Sequence, residues 1–192
     1  MASKIPAALQ KIAPTNNMAC NIIGLLPTVA KVPVHSKTGE KISNPLFCDS
    51  LTGLPNKRSL FDRLGHALSE SLSSKLYGAL LVLDLNNFKS LNDTGPDCRD
   101  ELVVEIAKRV LFCVRGEDIV ARLGGDEFAV LFENISPDEE ETSQNIARIA
   151  DKIQAALDAP FQLDNFIYRS SPSIGISLFG ANTIRSMKFN HC

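Results

Sequence analysis

Hydrophobic residues in the middle of the chain follow two regular patterns, one typical of helices and one typical of buried strands. After Pro55 and Asn56, apolar side chains recur every three or four residues as far as Leu72, which predicts an amphipathic helix. The run from Ala79 to Leu83 is short and wholly apolar, as in a strand covered on both faces. The first predicted elements are therefore a helix and a buried strand within residues 77–85.

Helical spacing returns further along the chain and is followed by two more strand-like segments. A helix is predicted to start at Asp97 or Cys98, with an apolar stripe along one side. Two apolar segments, Ile119–Leu123 and Phe128–Phe132, then flank the four residues Gly124-Gly125-Asp126-Glu127. Four-residue loops are common in β-hairpins, and glycine tolerates the positive φ that tight turns need. We therefore predict a hairpin.

A further helix and a final β region complete the pattern. Residues Glu139–Leu157 are amphipathic, with acidic residues in the first turn, where they stabilise the helix dipole. Residues Phe161–Phe179 are strand-like, and we predict a bend near Asp164-Asn165. After the first helix the order is β, one or two helices, β, β, α, β. This order predicts an α/β fold, specifically an α+β sandwich in which helices pack on one sheet.

Composition divides the chain into three parts. Residues 1–47 contain several prolines and no sustained period, so we predict a poorly ordered leader. Residues 48–180 form the patterned domain. Residues 181–192 are polar, mixed and without period, and we predict a divergent tail.

Charge and cysteine usage narrow the possible functions. The 192 residues include 20 Lys and Arg against 22 Asp and Glu, a formal net charge of −2. Proteins that bind nucleic acid or membrane surfaces non-specifically need an excess of positive charge, so neither partner is expected. No apolar segment is long enough to span a membrane. The five cysteines are scattered and form no CxxC pair, so a framework of disulfides is not expected. This favours a reducing compartment, and hence the cytoplasm.

Three acidic residues are candidates for chemistry. Asp84 ends the buried strand, and Asp126 and Glu127 lie in the predicted hairpin connection. If the strands are neighbours, the three carboxylates converge, and their repulsion is relieved by a bound cation. Oxygen ligands of this kind suit Mg²⁺ together with substrate phosphates. The alternatives are that Asp84 caps the following segment and that Asp126 and Glu127 are ordinary polar turn residues.

Four separated motifs resemble one known family. The sequence RLGGDEF, Arg122–Phe128, resembles the signature of GGDEF domains. The sequence DSLTGLPN, Asp49–Asn56, is similar to the entry motif of that domain, and DLNNFKSLND, Asp84–Asp93, to its metal-binding strand and first helix. The sequence SIGIS, Ser173–Ser177, is similar to its late strand. The resemblance covers residues 48–180.

The resemblance implies a fold and an activity. The fold is the GGDEF or nucleotidyl-cyclase-like palm, β-α-α-β-β-α-β, with a mostly antiparallel central sheet and flanking helices. The activity is that of a diguanylate cyclase in bacterial signalling, which condenses two GTP into cyclic di-GMP. The family works as a homodimer with two Mg²⁺ ions in each active site, and Mn²⁺ can replace them.

The resemblance also implies roles for individual residues. Asp84, Asp126 and the main-chain carbonyl of Leu85 would bind Mg²⁺, and Glu127 would be a metal ligand or help to activate the attacking 3′-hydroxyl. The implied substrate-binding residues are Lys89 near the phosphates, Asn92 and Asp100 at the guanine edge, and Gly124 and Gly125 beside the nucleotide. For Lys89, the alternative is a solvated side chain.

An inhibitory site is implied upstream of the hairpin. Arg115 and Asp118 have the spacing of the family's RxxD site, which binds cyclic di-GMP and restrains turnover. A guanidinium group suits a phosphate or a guanine acceptor, and a carboxylate suits guanine N–H groups. The alternative is a surface Arg–Asp pair at a helix end.

The sequence also departs from the family pattern. Asn86 stands where many members have a second Asp, and the stretch between Asn92 and Asp100 is one residue shorter than usual. After Gly180 the family continues into a helix with phosphate-binding Lys and Arg, which residues 181–192 do not resemble. We therefore expect a domain truncated at its C-terminus, with apolar sheet surface uncovered. The alternatives to an active cyclase are an inactive domain that binds cyclic di-GMP through Arg115 and Asp118, and a non-functional fragment.

Overall fold

Three helices and seven strands make up the part of the chain that the computed structural model describes, namely residues 46–86, 88, 96–163, 166–180 and 183–189. The helices are α1 (Lys57–Ser74), α2 (Pro96–Cys113) and α3 (Glu139–Asp158). The strands are β1 (Tyr77–Leu85), β2 (Ile119–Gly124), β3 (Glu127–Ser136), β4 (Phe161–Leu163), β5 (Phe166–Tyr168), β6 (Pro172–Gly180) and β7 (Thr183–Phe189).

Five of the strands form one antiparallel sheet in the order β2-β3-β1-β6-β7. Strands β4 and β5 form a separate antiparallel pair. The central strand β1 is the most apolar, because neighbours cover it along both edges and helices cover both of its faces. The predicted α+β architecture with an antiparallel sheet is confirmed.

The two faces of the sheet bury different helices. Alternate β1 residues, among them Leu81 and Leu83, belong to one hydrophobic cluster with the inner sides of α2 and α3. The intervening residues Leu80 and Val82 belong to a second cluster with α1. Helix α1 therefore lies on one face of the sheet, and α2 and α3 lie on the other.

Local signals explain where two of the helices begin. The Asn56 side chain accepts a hydrogen bond from the Ser59 N–H at 3.0 Å, and Asp138 accepts one from the Glu141 N–H at 2.8 Å. Asparagine and aspartate are favoured at this position because they satisfy backbone donors that lack a partner within the helix. Both helices start where the sequence predicted.

The β2–β3 hairpin is tighter than predicted. The strands pair up to Gly124 and Glu127, so the loop contains only Gly125 and Asp126 instead of four residues. Gly124 has φ 143° and Gly125 has φ 56°, values that glycine adopts without steric cost. The paired segments can therefore extend to the turn, and Glu127 belongs to the strand.

The C-terminal segment contains a strand that the sequence analysis missed. Strand β7 pairs with β6 from Gly180↔Thr183 to Ile174↔Phe189. A strand at a sheet edge is held by backbone hydrogen bonds and does not need a strongly apolar pattern. On the sheet itself, Leu80, Val82 and Phe179 are at most 3% exposed, so the uncovered apolar surface that we expected is not found at these described positions.

Several predictions fall on other parts of the chain. Residues 1–45, most of the segment between β1 and α2 in which a further helix was one possibility, and the bend at Asp164-Asn165 lie outside the described residues. Among the described helices, none combines the length and the hydrophobicity that crossing a bilayer requires.

Candidate active site

The register of the sheet brings together two of the predicted acidic residues. Asp84, the penultimate residue of β1, lies directly opposite Glu127, the first residue of β3. Both are partly buried, and alternation along their strands directs both side chains to the α1 face. Side chains opposite one another in an antiparallel pair have Cβ atoms about 5 Å apart. Two carboxylates therefore share one end of the sheet.

Asp126 and the Leu85 carbonyl lie at the same end. The Asn86 N–H donates to the Ser171 carbonyl at 3.1 Å on the β6 side of β1. Backbone groups of successive residues in an antiparallel strand point to opposite sides, so the Leu85 carbonyl points away from β6. On that side the β1–β3 register ends at Asp84↔Glu127, and Asp126 directly precedes Glu127 at the tip of the hairpin.

These oxygen donors meet the requirements of Mg²⁺ only if few protein ligands are needed. Within the described residues, no three His, Cys, Asp or Glu side chains are grouped closely enough to hold a metal ion. Mg²⁺ needs fewer protein ligands than that, because it keeps several waters and binds through one or two carboxylates plus substrate phosphates. The Asp84–Glu127 pair, with the Leu85 carbonyl and Asp126 beside it, fits that chemistry.

Arg122 fixes the hairpin that carries Asp126. Its Nε and Nη2 donate to the Gly125 carbonyl at 3.1 and 2.8 Å. Its Nη1 donates to both carboxylate oxygens of Asp49, at 3.0 and 3.1 Å. One guanidinium group thus joins the turn to the entry motif of the domain. No local pattern in the sequence indicated a role for this arginine.

The ion pair also changes the titration of Asp49. Burial alone would raise its pKa, but hydrogen bonds from Thr52 and the charge and hydrogen bond of Arg122 together lower the pKa of this carboxyl below its ordinary value. Asp49 therefore keeps its negative charge to a lower pH in the folded protein than in the unfolded chain.

Tyr168 in β5 was also missed by the sequence analysis. It is 8% exposed, and its hydroxyl has no hydrogen-bond partner of good geometry among the described residues. Burial raises the pKa of Tyr168, the charge of Asp126 raises it further, and the Ser170 side chain acts in the opposite direction. Tyr168 thus lies near enough to the hairpin tip to experience the charge of Asp126. A single tyrosine in an apolar strand gave no signal for this.

One of the two predicted guanine-binding residues, Asp100, lies within the part of the chain that the structure describes. Asp100 lines a cavity of about 280 Å³ between α2, β4 and the entry motif, and it is exposed to that space. The remaining lining residues are Leu51, Glu101, Val104, Glu105, Lys108, Gln162 and Leu163. Asn92 and Lys89 lie outside the described residues, so their predicted contacts stay predictions.

Arg115 and Asp118 lie close together just after α2. The Arg115 N–H donates to Asp118 Oδ2 at 2.7 Å, which closes a short turn after α2. The Arg115 side chain is 79% exposed and lies 3.5 Å from Glu117. Burial raises the pKa of Asp118, and the Arg115 N–H acts in the opposite direction. The guanidinium group is therefore accessible to a ligand, whereas the carboxylate also shapes the turn.

Fold and site together define a domain of the GGDEF type. The GGDEF domain of TpbB (YfiN) from Pseudomonas aeruginosa has the same fold, with a TM-score of 0.64 and 38% sequence identity over 71% of this chain and 78% of that chain. The family described as "Diguanylate cyclase, GGDEF domain" matches residues 46–188. The chain belongs to the GGDEF family.

Two relatives from Pseudomonas aeruginosa are much longer than this chain. It is 39% identical over 132 residues to the bifunctional diguanylate cyclase/cyclic di-GMP phosphodiesterase MucR, covering 68% of this chain and 18% of MucR. It is 40% identical over 133 residues to the diguanylate cyclase TpbB, covering 68% of this chain and 29% of TpbB. The chain therefore spans less than a third of either relative.

Proposed function

We propose that this chain is a diguanylate cyclase, which condenses two GTP into cyclic di-GMP and releases pyrophosphate. The observation that carries the proposal is the register of β1 and β3, which sets Asp84 opposite Glu127 at the end of the sheet. The relatives MucR and TpbB, both named diguanylate cyclases, support it.

The proposed cofactor is a pair of Mg²⁺ ions, with Mn²⁺ as a substitute. Carboxylate oxygens of Asp84, Asp126 and Glu127 and the carbonyl of Leu85 would hold them. When bound, the ions neutralise phosphate charge and orient the oxygens of an in-line displacement. In our proposal Glu127 also helps to deprotonate the attacking 3′-hydroxyl.

Open space beside the two glycines supports phosphate binding at the hairpin. A Cβ atom at Gly124 or Gly125 would meet no other atom within 4 Å. The backbone at the tip is therefore accessible to a bulky charged group such as a triphosphate. Arg122 holds the Gly125 carbonyl, so the turn is ordered before substrate arrives.

The cavity at α2 supports guanine binding. A purine base and adjoining water fit within about 280 Å³, and Leu51 and Val104 offer apolar surface for its faces. Guanine presents two neighbouring N–H donors, N1–H and the N2 amino group, which match the two oxygens of a carboxylate such as Asp100. Adenine presents an acceptor at N1, so the same carboxylate would disfavour it.

Each active site would hold one GTP, so catalysis requires a homodimer. The 3′-hydroxyl of one GTP would attack the α-phosphate of the other, which lies on the second subunit. Bringing the two together replaces an encounter in solution by a reaction between oriented groups. The rate per subunit should therefore rise with protein concentration.

The decisive test incubates the purified chain with GTP and Mg²⁺ and separates the products by chromatography. We expect cyclic di-GMP from the unchanged protein, and about a hundredfold less from Asp126→Asn, which keeps the shape of the side chain but removes its charge. Asp151→Asn, on the exposed side of α3, is the matched control and should be fully active. Equal product from both variants would contradict the role of Asp126, and no product from the unchanged chain would contradict the proposed activity.

The exposed guanidinium group of Arg115 supports a second candidate, a domain that binds cyclic di-GMP without making it. Titration calorimetry with cyclic di-GMP tests this directly. Binding that is lost in Arg115→Ala and retained in Arg148→Ala, an exposed arginine on α3, would support the receptor if no product forms. In an active enzyme, the same loss should raise the late-time yield of product, because inhibition is removed.

A further inference from the structure

We propose that Asn86, Ser170 and Ser173 form a hydrogen-bonded clamp that positions the end of β1 for cation binding, an inference that rests on the cyclase function proposed above. We call these three residues the β1 clamp. None of them is proposed to touch the cation, so their role is that of positioning residues.

Asn86 directly follows β1 and makes three hydrogen bonds to the segment that leads into β6. Its N–H donates to the Ser171 carbonyl at 3.1 Å, and its carbonyl accepts from Ser170 Oγ at 2.5 Å. Its side-chain Oδ1 accepts from Ser173 Oγ at 3.0 Å. Because the backbone and the side chain of one residue are both held, the chain can neither slide nor rotate easily at this point.

Helix α3 anchors Ser171, whose carbonyl accepts from the Asn86 N–H. Ser171 Oγ donates to Asp158 Oδ1 at 2.5 Å and accepts from Gln154 Nε2 at 3.1 Å. Gln154 is 7% exposed and also donates to both Asp158 oxygens, at 3.0 and 3.1 Å. The segment that holds Asn86 is thus tied to a helix whose inner side is part of the core.

The clamp lies beside the residues that we propose to bind the cation. Ser173 is opposite Asp84 in the β1–β6 pair, and Asp84 is opposite Glu127 in the β1–β3 pair. Leu85, whose carbonyl is a proposed ligand, lies between Asp84 and Asn86. A slip at Asn86 would therefore move both the Asp84 carboxylate and the Leu85 carbonyl.

The amide at position 86 is suited to this role. Mg²⁺ demands near-ideal geometry, so groups that orient its ligands change affinity by about 10- to 100-fold. Asn86 supplies a hydrogen-bond acceptor without adding negative charge beside Asp84 and Glu127. It therefore fixes the strand end without increasing the repulsion between carboxylates.

Two measurements on the purified full chain test the clamp. The first is Mn²⁺ affinity, by electron paramagnetic resonance with a saturating non-hydrolysable GTP analogue. The second is hydrogen exchange of the Asn86 amide without ligand. Asn86→Ala and Ser173→Ala break the same hydrogen bond, whereas Asn86→Asp keeps an acceptor oxygen. The control variant is Ser69→Ala, which changes an exposed serine on α1.

We expect about tenfold weaker Mn²⁺ binding and faster exchange in Asn86→Ala and in Ser173→Ala. The double variant should be no weaker than either single one, because both remove one shared interaction. Asn86→Asp keeps the acceptor oxygen, so the amide at position 86 should exchange as slowly as in the unchanged chain. Ser69→Ala should match the unchanged chain in both measurements. If Ser173→Ala does not fold, Ser170→Ala tests the backbone bond to Asn86 in its place.

The outcomes separate this inference from the proposed function. Unchanged Mn²⁺ affinity in the variants of a chain that does bind Mn²⁺ would overturn the clamp and leave the cyclase proposal intact. Fast exchange of the amide at position 86 in Asn86→Asp would also overturn it, since the acceptor oxygen would then be irrelevant. If the unchanged chain binds no Mn²⁺ even with the nucleotide analogue, the proposed function fails and the positioning role fails with it.

Discussion

Replacing Asp49 by Asn would remove the negative charge from the ion pair that joins the entry motif to the β2–β3 hairpin. Arg122 would keep its hydrogen bonds to the Gly125 carbonyl, and the asparagine Oδ1 would still accept from the Thr52 N–H and hydroxyl, now at 2.8 and 2.7 Å. The substitution therefore removes the negative charge and the Oδ2 acceptor at 3.1 Å from the pair, while Oδ1 can still accept from Arg122 Nη1.

The magnitude follows from burial and geometry. The Arg122 and Asp49 side chains are 13% and 21% exposed, and one nitrogen contacts both carboxylate oxygens. Exposed ion pairs contribute about 0–1 kcal/mol, whereas hydrogen bonds to charged groups contribute about 1.5–3 kcal/mol. We expect the free energy of unfolding to fall by about 2 kcal/mol, which lowers Tm by about 6 °C for a domain of this size.

The same substitution should change how stability depends on pH. The pKa of Asp49 is lowered in the folded protein, whereas in the unfolded chain it has its ordinary value of 3.8. At a pH between these two pKa values, the unfolded chain binds a proton that the folded protein does not. The stabilisation is therefore complete above about pH 4 to 5 and is lost as the pH falls through the lowered folded pKa. In Asp49→Asn this part of the acid dependence disappears.

Urea unfolding at pH 7 and at a series of acidic pH values measures both effects. Asp151→Asn removes an exposed carboxylate from α3 and is the control, with an expected change within about 0.5 kcal/mol. Equal stability of Asp49→Asn and the unchanged protein at pH 7 would refute the proposed strength of the ion pair. If the free energy of unfolding of Asp49→Asn falls with decreasing pH as steeply as that of the unchanged protein, the contribution of the ion pair to the pH dependence is refuted.

Two further substitutions test the turn and the helix packing, both by urea unfolding. Gly125→Ala places a methyl group in open space at φ 56°, so the only cost is backbone strain. We expect the free energy of unfolding to fall by about 1–2 kcal/mol. The control is Gly116→Ala, which is equally open but has no positive φ and should be nearly neutral. Arg109→Ala removes the hydrogen bonds that this side chain donates to three carbonyls at the end of α3. It also removes a guanidinium group that lies 3.8 Å from the centre of the Phe161 ring. We expect the free energy of unfolding to fall by about 2–4 kcal/mol. Changes below about 0.5 kcal/mol in either variant would contradict these assignments.

Local patterns in the sequence were sufficient for most of the elements. The helical spacing after Asn56, the apolar run at Ala79–Leu83 and the acidic start of α3 each depend on residues within a few positions of one another. The fold contains these elements because burying one side of a helix, or both faces of a central strand, stabilises segments whose apolar residues have that spacing. The GGDEF signature likewise identified the family from contiguous residues, and the match to residues 46–188 confirms it.

Contacts between distant residues were decided only by the tertiary structure. Arg122 and Asp49 are 73 positions apart, and Asn86 and Ser173 are 87 apart, so no local pattern connects them. Strand β7 was missed because an edge strand is recruited by the free backbone groups of β6, whatever its own side chains. The sequence by itself determined which groups are present and which segments bury them. Which groups meet depends on strand order and register, which arise only when the whole sheet packs against its helices.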